Sequence, residues 1–84
     1  MTPIRELLSR LRWDSEFAKG DFVIGYYDRV ERKIIPVPLQ QVHITPGDHF
    51  SCQVTDQDGY AHDVPFHRIK EVRKDGQLIW HREH

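Results

Sequence analysis

Phe22-Val23-Ile24-Gly25-Tyr26-Tyr27-Asp28-Arg29-Val30 is the stretch on which the fold class turns. It is rich in β-branched and aromatic residues, as strands are. It follows Lys19-Gly20-Asp21, and the apolar pattern changes character across that break. On the N-terminal side, Ile4, Leu7, Leu8 and Leu11 recur at i, i+3, i+4 and i+7, the stripe of an amphipathic helix. Arg5, Ser9 and Arg12 share the opposite side. Thr2 and Pro3 read as N-cap and first helical residue. The helix is predicted to end near Trp13, because Asp14-Ser15 favour a turn.

On the C-terminal side the strand signals continue. Glu31-Arg32-Lys33 reads as a turn, and Lys33 to Leu39 returns with Ile35, Val37 and Leu39 on one face and Pro36 and Pro38 on the other. Proline donates nothing to a ladder, so this strand is expected at an edge or to be irregular. Val42 and Ile44 continue an inward pattern up to the turn Pro46-Gly47-Asp48. Phe50, Cys52 and Val54 alternate with polar residues, Asp56 to Gly59 reads as a hairpin loop, and Tyr60, His62, Val64 and Phe66 mark the return strand. Pro65-Phe66-His67-Arg68 is expected to bend the chain. Ile69 and Val72 lead to a second hairpin turn at Lys74-Asp75-Gly76, and Leu78, Ile79 and Trp80 form the closing strand. The expected fold is one α+β domain over residues 1–84: an N-terminal helix on a small, highly curved antiparallel sheet or partly open barrel of five or six strands.

Composition narrows the function classes. Eighty-four residues hold one domain, burying roughly 60–70% of the surface of the unfolded chain. Hydrophobic residues make up 38% of the chain, which suits a packed core rather than a disordered segment. No apolar run is long enough to cross a membrane as a helix, and the N-terminal residues lack the apolar core of a signal peptide. Cys52 is the single cysteine, which excludes an intrachain disulfide and suggests a reducing, cytoplasmic location. Twelve Lys and Arg oppose thirteen Asp and Glu, so a long basic track for a nucleic-acid backbone is excluded and any such contact is local.

Catalytic and metal signals are weak. His62 and His67 lie five apart, and His81 and His84 three apart, but no cysteine pair completes a structural zinc site; neither a metal nor another cofactor is expected. Cys52 shares a strand face with Phe50 and Val54 and reads as a small core residue. No serine sits on a Gly-x-Ser-x-Gly turn. His43-Ile44-Thr45 and His49-Phe50-Ser51 both read His-x-Thr/Ser, the doubled signature of the 2H phosphoesterases. There the two motifs come from separate lobes; here they stand six residues apart across one turn in a chain about half the length that fold needs. The pattern is therefore set aside, and the protein is read as non-catalytic.

Arginines and aromatics form a more coherent set: Arg12-Trp13-Asp14 closes the helix, Tyr26-Tyr27-Asp28-Arg29 closes the first strand, and His67-Arg68 sits at the bend. Each has a structural reading as well: Trp13 packing the helix end, Asp28 pairing with an arginine, Tyr26 in the core. Arg10-Leu11-Arg12-Trp13-Asp14, Tyr27-Asp28-Arg29, Pro65-Phe66-His67-Arg68-Ile69 and Lys74-Asp75-Gly76 before Trp80 together resemble the RNA cyclic group end recognition domain, in the right order and over almost the whole chain. That domain occurs fused to RNA-processing enzymes, including 2H-type phosphoesterases. The resemblance implies a module for RNA 3′ ends, including those with a 2′,3′-cyclic phosphate, with RNA-processing enzymes as partners. Arg12, Arg29 and Arg68 would then hold the phosphate, since a guanidinium fork binds two oxygens at once. His67 would donate to a phosphate oxygen or contact the ribose, and Tyr27 would stack under the terminal base. Asp14 and Asp28 would hold arginines in place, with Trp13 in support. The other readings are a small phosphoesterase acting on cyclic phosphates and a protein-interaction module.

Overall fold

The computed structural model describes residues 3–45, 47–48 and 50–83. Helix α1 (Ile4–Trp13) is followed by seven short strands: β1 (Phe22–Asp28), β2 (Lys33–Pro38), β3 (Val42–His43), β4 (Ser51–Thr55), β5 (Ala61–Pro65), β6 (Ile69–Lys74) and β7 (Gln77–His81). The α+β class agrees with the sequence reading. The curved antiparallel sheet or partly open barrel of five or six strands is met only in part: the strands are antiparallel, but they form two sheets, ordered β2-β1-β6-β7 and β3-β4-β5.

Two prolines explain the division. The chain leaves the first sheet after Pro38 through a 3-10 turn, Leu39–Gln41, and returns to it after Pro65 through another, Phe66–Arg68. Both prolines hold nearly the same extended backbone, φ −59° with ψ 144° and 141°. A ring-locked φ and a missing N–H suit a residue where one ladder stops and a tight turn begins. The expected edge position of β2 is confirmed.

The helix buries its predicted stripe, Ile4, Leu7, Leu8 and Leu11, into one core with Phe22, Ile24, Val37, Ile69, Val72 and Trp80 of the first sheet. Cys52, Val54 and Val64 of the second sheet join the same core, with Phe66 of the returning turn. Leu8 and Ile24 are 2% exposed, and Ile69 and Val72 fully buried. Pro3 stands at the N-cap position rather than the first helical residue; Thr2, the expected cap, lies outside the described residues. Pro46 of the predicted turn, and His49 and His84, also lie outside them.

Phe50 departs from its expected inward place and is 82% exposed. The Asp48 carboxylate accepts the N–H groups of Phe50 and Ser51, at 2.9 and 3.2 Å, so the chain bends just before β4 begins. Tyr60 and His62 are also exposed: β5 is the edge strand of its sheet, and His62 stays outside although its partner Val54 is buried. The Asp75-Gly76 turn has φ of 51° and 83°, the left-handed pair of a two-residue hairpin that favours this dipeptide. Asp75 adds a carboxylate bond to the N–H of Asp21 at 2.8 Å.

Candidate nucleic-acid interface

The end of β1, the turn that follows it and the β4–β5 hairpin enclose a groove of about 490 Å³, within the roughly 300–1,000 Å³ usual for ligand sites. Tyr26, Tyr27 and Arg29 line one side, Asp56 and His62 the other, and Arg68 enters from the turn between β5 and β6. Asp28 shapes the β1–β2 connection: its Oδ1 accepts the N–H groups of Val30 (2.8 Å) and Glu31 (3.2 Å), and its carbonyl accepts that of Arg32 (2.7 Å). This tight connection carries Arg29 to the groove rim.

Four carboxylates line the groove, Asp28, Glu31, Asp56 and Asp63, so it carries no general positive field. An anion would be held there only by direct guanidinium contact. Three of the acids already have partners: Asp28 in its turn, Asp63 accepting from Gln53 Nε2 at 3.3 Å, and Asp56 facing His62 Nε2 at 2.6 Å. Among the described residues, neither Arg29 nor Arg68 enters an ion pair. Burial, helped by the negative charges of Asp28 and Asp56, raises the Tyr26 phenol above its ordinary pKa.

The hydrogen bond from His62 is the main force holding the Asp56 carboxyl below its ordinary pKa, with the N–H groups of Tyr60 and Asp58 assisting. A depressed carboxylate stabilises the fold fully above its unfolded pKa, about 3.9, and that contribution disappears as pH falls through the lower folded value. Carboxyl NMR of wild type is expected to show Asp56 titrating below that reference. In His62→Ala it should move upward while staying partly depressed by the two backbone donors. An unmoved Asp56 would mean that the pair does not form in solution.

The structure sorts the predicted site residues into two places. Tyr27, Asp28, Arg29 and Arg68 meet at the groove above. Arg12 and Trp13 line a second groove, with Arg5 beside them and Leu8, Ile44 and Phe66 as apolar walls. Trp13 does not pack the helix end into the core; it is 77% exposed, with the Arg12 guanidinium carbon 5.0 Å from its ring centre. Asp14 faces Arg10 Nε at 3.6 Å, not Arg12, and accepts the Phe17 N–H at 3.1 Å. Asp28 serves the backbone of its turn. His67 is exposed on the 3-10 turn, between Phe66 of the second groove and Arg68 of the first.

Two contributors escaped the sequence reading. One is the His62–Asp56 pair, formed because the Asp56–Gly59 loop folds back towards β5. The other is Arg82, whose Nε and Nη2 donate to the carbonyls of Ile69 (3.0 Å) and Phe66 (2.8 Å) and clamp the turn that carries Arg68. Cys52 is buried as expected, its thiol pushed up to about 11 mainly by burial. Among the described residues no three His, Cys, Asp or Glu side chains gather to hold a metal ion, and no helix is long and apolar enough to cross a membrane.

The family model of the MJ1316 RNA cyclic group end recognition domain matches residues 1–82, both grooves and the turn between them included. Among curated relatives, UPF0248 protein MMP0286 of Methanococcus maripaludis is 31% identical over 80 residues, covering 92% of this chain and 95% of the relative. UPF0248 protein PH1212.1 of Pyrococcus horikoshii is 26% identical over 83 residues, covering 92% and 86%. No solved structure matches the chain. With its ordered motifs spread over helix, first strand and returning turn, the chain belongs to the MJ1316 RNA cyclic group end recognition domain family.

Proposed function

We propose that this domain is a non-catalytic module that binds RNA 3′ ends, with preference for a 2′,3′-cyclic phosphate. The observation that carries the reading is the meeting of Tyr27, Arg29 and Arg68 at one groove, with neither arginine in an ion pair among the described residues. A cyclic phosphate carries one charge and two non-bridging oxygens, which two guanidinium groups can share. Tyr27 offers a ring face to the terminal base, and His67 a donor beside Arg68. On this reading the module presents ends to RNA-processing enzymes in the cytoplasm. The near-neutral chain suits reading one end rather than tracking a strand.

Fluorescence anisotropy with three short RNAs, identical except for 3′-hydroxyl, 3′-phosphate or 2′,3′-cyclic phosphate ends, tests the reading. The cyclic end is expected to bind most tightly, with a shallow salt slope. Arg29→Ala and Arg68→Ala should each weaken that binding by about tenfold or more, the scale of one lost charge-assisted contact. Equal binding of all three RNAs, or two silent variants, would overturn it.

The His62–Asp56 pair in the same groove favours a second reading, as a phosphoesterase. There a His62 nitrogen would take the proton of a water attacking phosphorus, and the imidazolium would return it to the ribose oxygen that leaves. Conversion of the cyclic end to a phosphomonoester by wild type but not by His62→Ala would select it over simple binding.

A further inference from the structure

We infer that the second groove, which runs along α1 from Arg5 to Trp13, binds the nucleotides just upstream of the RNA terminus, with Trp13 as a stacking platform and Arg5 and Arg12 on the phosphates. The inference rests on the end-binding reading above and extends it from one nucleotide to a short strand.

Trp13 is the first reason. Its 77% exposure leaves a large aromatic face outside the core, although α1 already has four apolar residues to bury. An exposed indole with a guanidinium against it is the pairing that single-stranded nucleic-acid sites use, because every base has a face to stack. Charge is the second. Arg5 and Arg12 line this groove with one acid, Asp48, whose carboxylate accepts the N–H groups of Phe50 and Ser51 and the Ser51 hydroxyl. Among the described residues no ion pair involves Arg5 or Arg12. This groove is therefore the more cationic of the two, as a stretch of plain phosphodiester requires, while the acid-bearing first groove demands closer contact from its ligand.

Continuity is the third. Phe66 lines the second groove and Arg68 the first, so a single 3-10 turn is their common wall. Two residues of such a turn rise only about 4 Å. A strand whose terminal phosphate sits on Arg68 would follow this wall past the exposed His67 towards the Trp13 groove. The assignment also gives a role to Arg12, which does not line the first groove.

The test titrates wild type, Trp13→Ala, Trp13→Phe and Arg68→Ala with a 2′,3′-cyclic mononucleotide, a trinucleotide with the same cyclic end, and that trinucleotide with a 3′-hydroxyl. Wild type should bind the cyclic trinucleotide more tightly than the mononucleotide, with quenching of tryptophan emission, since Trp80 is buried and Trp13 is not. Trp13→Ala should weaken trinucleotide binding at least fivefold more than mononucleotide binding, and Trp13→Phe should restore most of the loss by stacking. Equal losses for both probes, or none, would overturn the inference. The two readings fail separately. If Arg68→Ala weakens both cyclic probes while Trp13→Ala is silent, the end reading stands and the second groove does not. If Trp13→Ala weakens both trinucleotides equally and the end chemistry makes no difference, the second groove stands and the end reading falls.

Discussion

Arg82→Ala is expected to destabilise the domain by about 2–3 kcal/mol, the scale of losing hydrogen bonds from a charged donor to buried carbonyls. The guanidinium donates to the carbonyls of Phe66 and Ile69, and these residues are 6% and 0% exposed. Alanine would leave both carbonyls to find other donors inside a packed region. The Arg82 guanidinium carbon also stands 5.0 Å from the Trp80 ring centre, a further loss. The Arg82 backbone N–H, bonded to the Lys70 carbonyl at 2.9 Å, would survive the change, so β7 need not detach. For a domain of this size the deficit corresponds to a fall in melting temperature on the order of 10–20 °C. Arg82→Lys should recover only part, because one ammonium lacks the fork that reaches two carbonyls at once. Thermal unfolding followed by circular dichroism reads the effect directly; a shift of about 3 °C or less would refute the clamp. Since the clamped turn carries Arg68, folded Arg82→Ala at low temperature should also bind end-modified RNA more weakly than wild type.

The clamp marks where the sequence stops being informative. Ile4, Leu7, Leu8 and Leu11 announce their helix because a local period of 3.6 is written directly into the chain, and all four are buried. Asp75-Gly76 announces its hairpin for the same reason: a two-residue turn needs left-handed backbone there. The split into two sheets is another matter. Pro38 and Pro65 are visible as interruptions, but which ladder follows each of them depends on pairings distant in sequence. The site divides in the same way. Tyr27, Arg29 and Arg68 could be proposed from chemistry and motif, and they meet at one groove. Arg12 and Trp13, equally plausible by residue type, stand at a different one. The Asp56–His62 contact requires a loop conformation that alternation does not encode. Arg82 bonds to backbone carbonyls, which carry no residue identity, so nothing in its neighbourhood flags the role.

Gly25→Val is expected to cost more than the usual strand substitution, about 2–4 kcal/mol, whereas Gly25→Ala should cost about 1–2 kcal/mol, as overpacking of a filled interior does. The sign is not obvious, because glycine weakens a strand interior and valine favours one. Backbone freedom alone would make Gly25→Ala stabilising by roughly 0.5–1 kcal/mol. Space decides against it. A Cβ at Gly25 would lie 2.6 Å from Glu71 Cγ and 2.7 Å from Ile34 Cγ2, well inside contact distance on two sides. Both atoms stand close to their own backbones, on the two strands that flank β1, so neither can swing clear as a flexible side-chain tip would. β1 cannot shift away either, because it is paired with β2 on one edge and β6 on the other. The register with β6 slips immediately after this residue: Gly25 faces Glu71, Tyr26 faces Ile69, and Lys70 is passed over. Such an irregularity bends a strand and re-aims the side chains beyond it. Here the extra residue is Lys70, so the strand that bends is β6, directly after the turn that carries Arg68. Gly25 therefore provides the room in which Glu71 of β6 packs against β1 beside that bend. Urea unfolding of the two variants should show midpoints falling in the order wild type, alanine, valine. A Gly25→Ala variant as stable as wild type would mean that β1 can relax here, and the groove geometry would then owe nothing to this glycine.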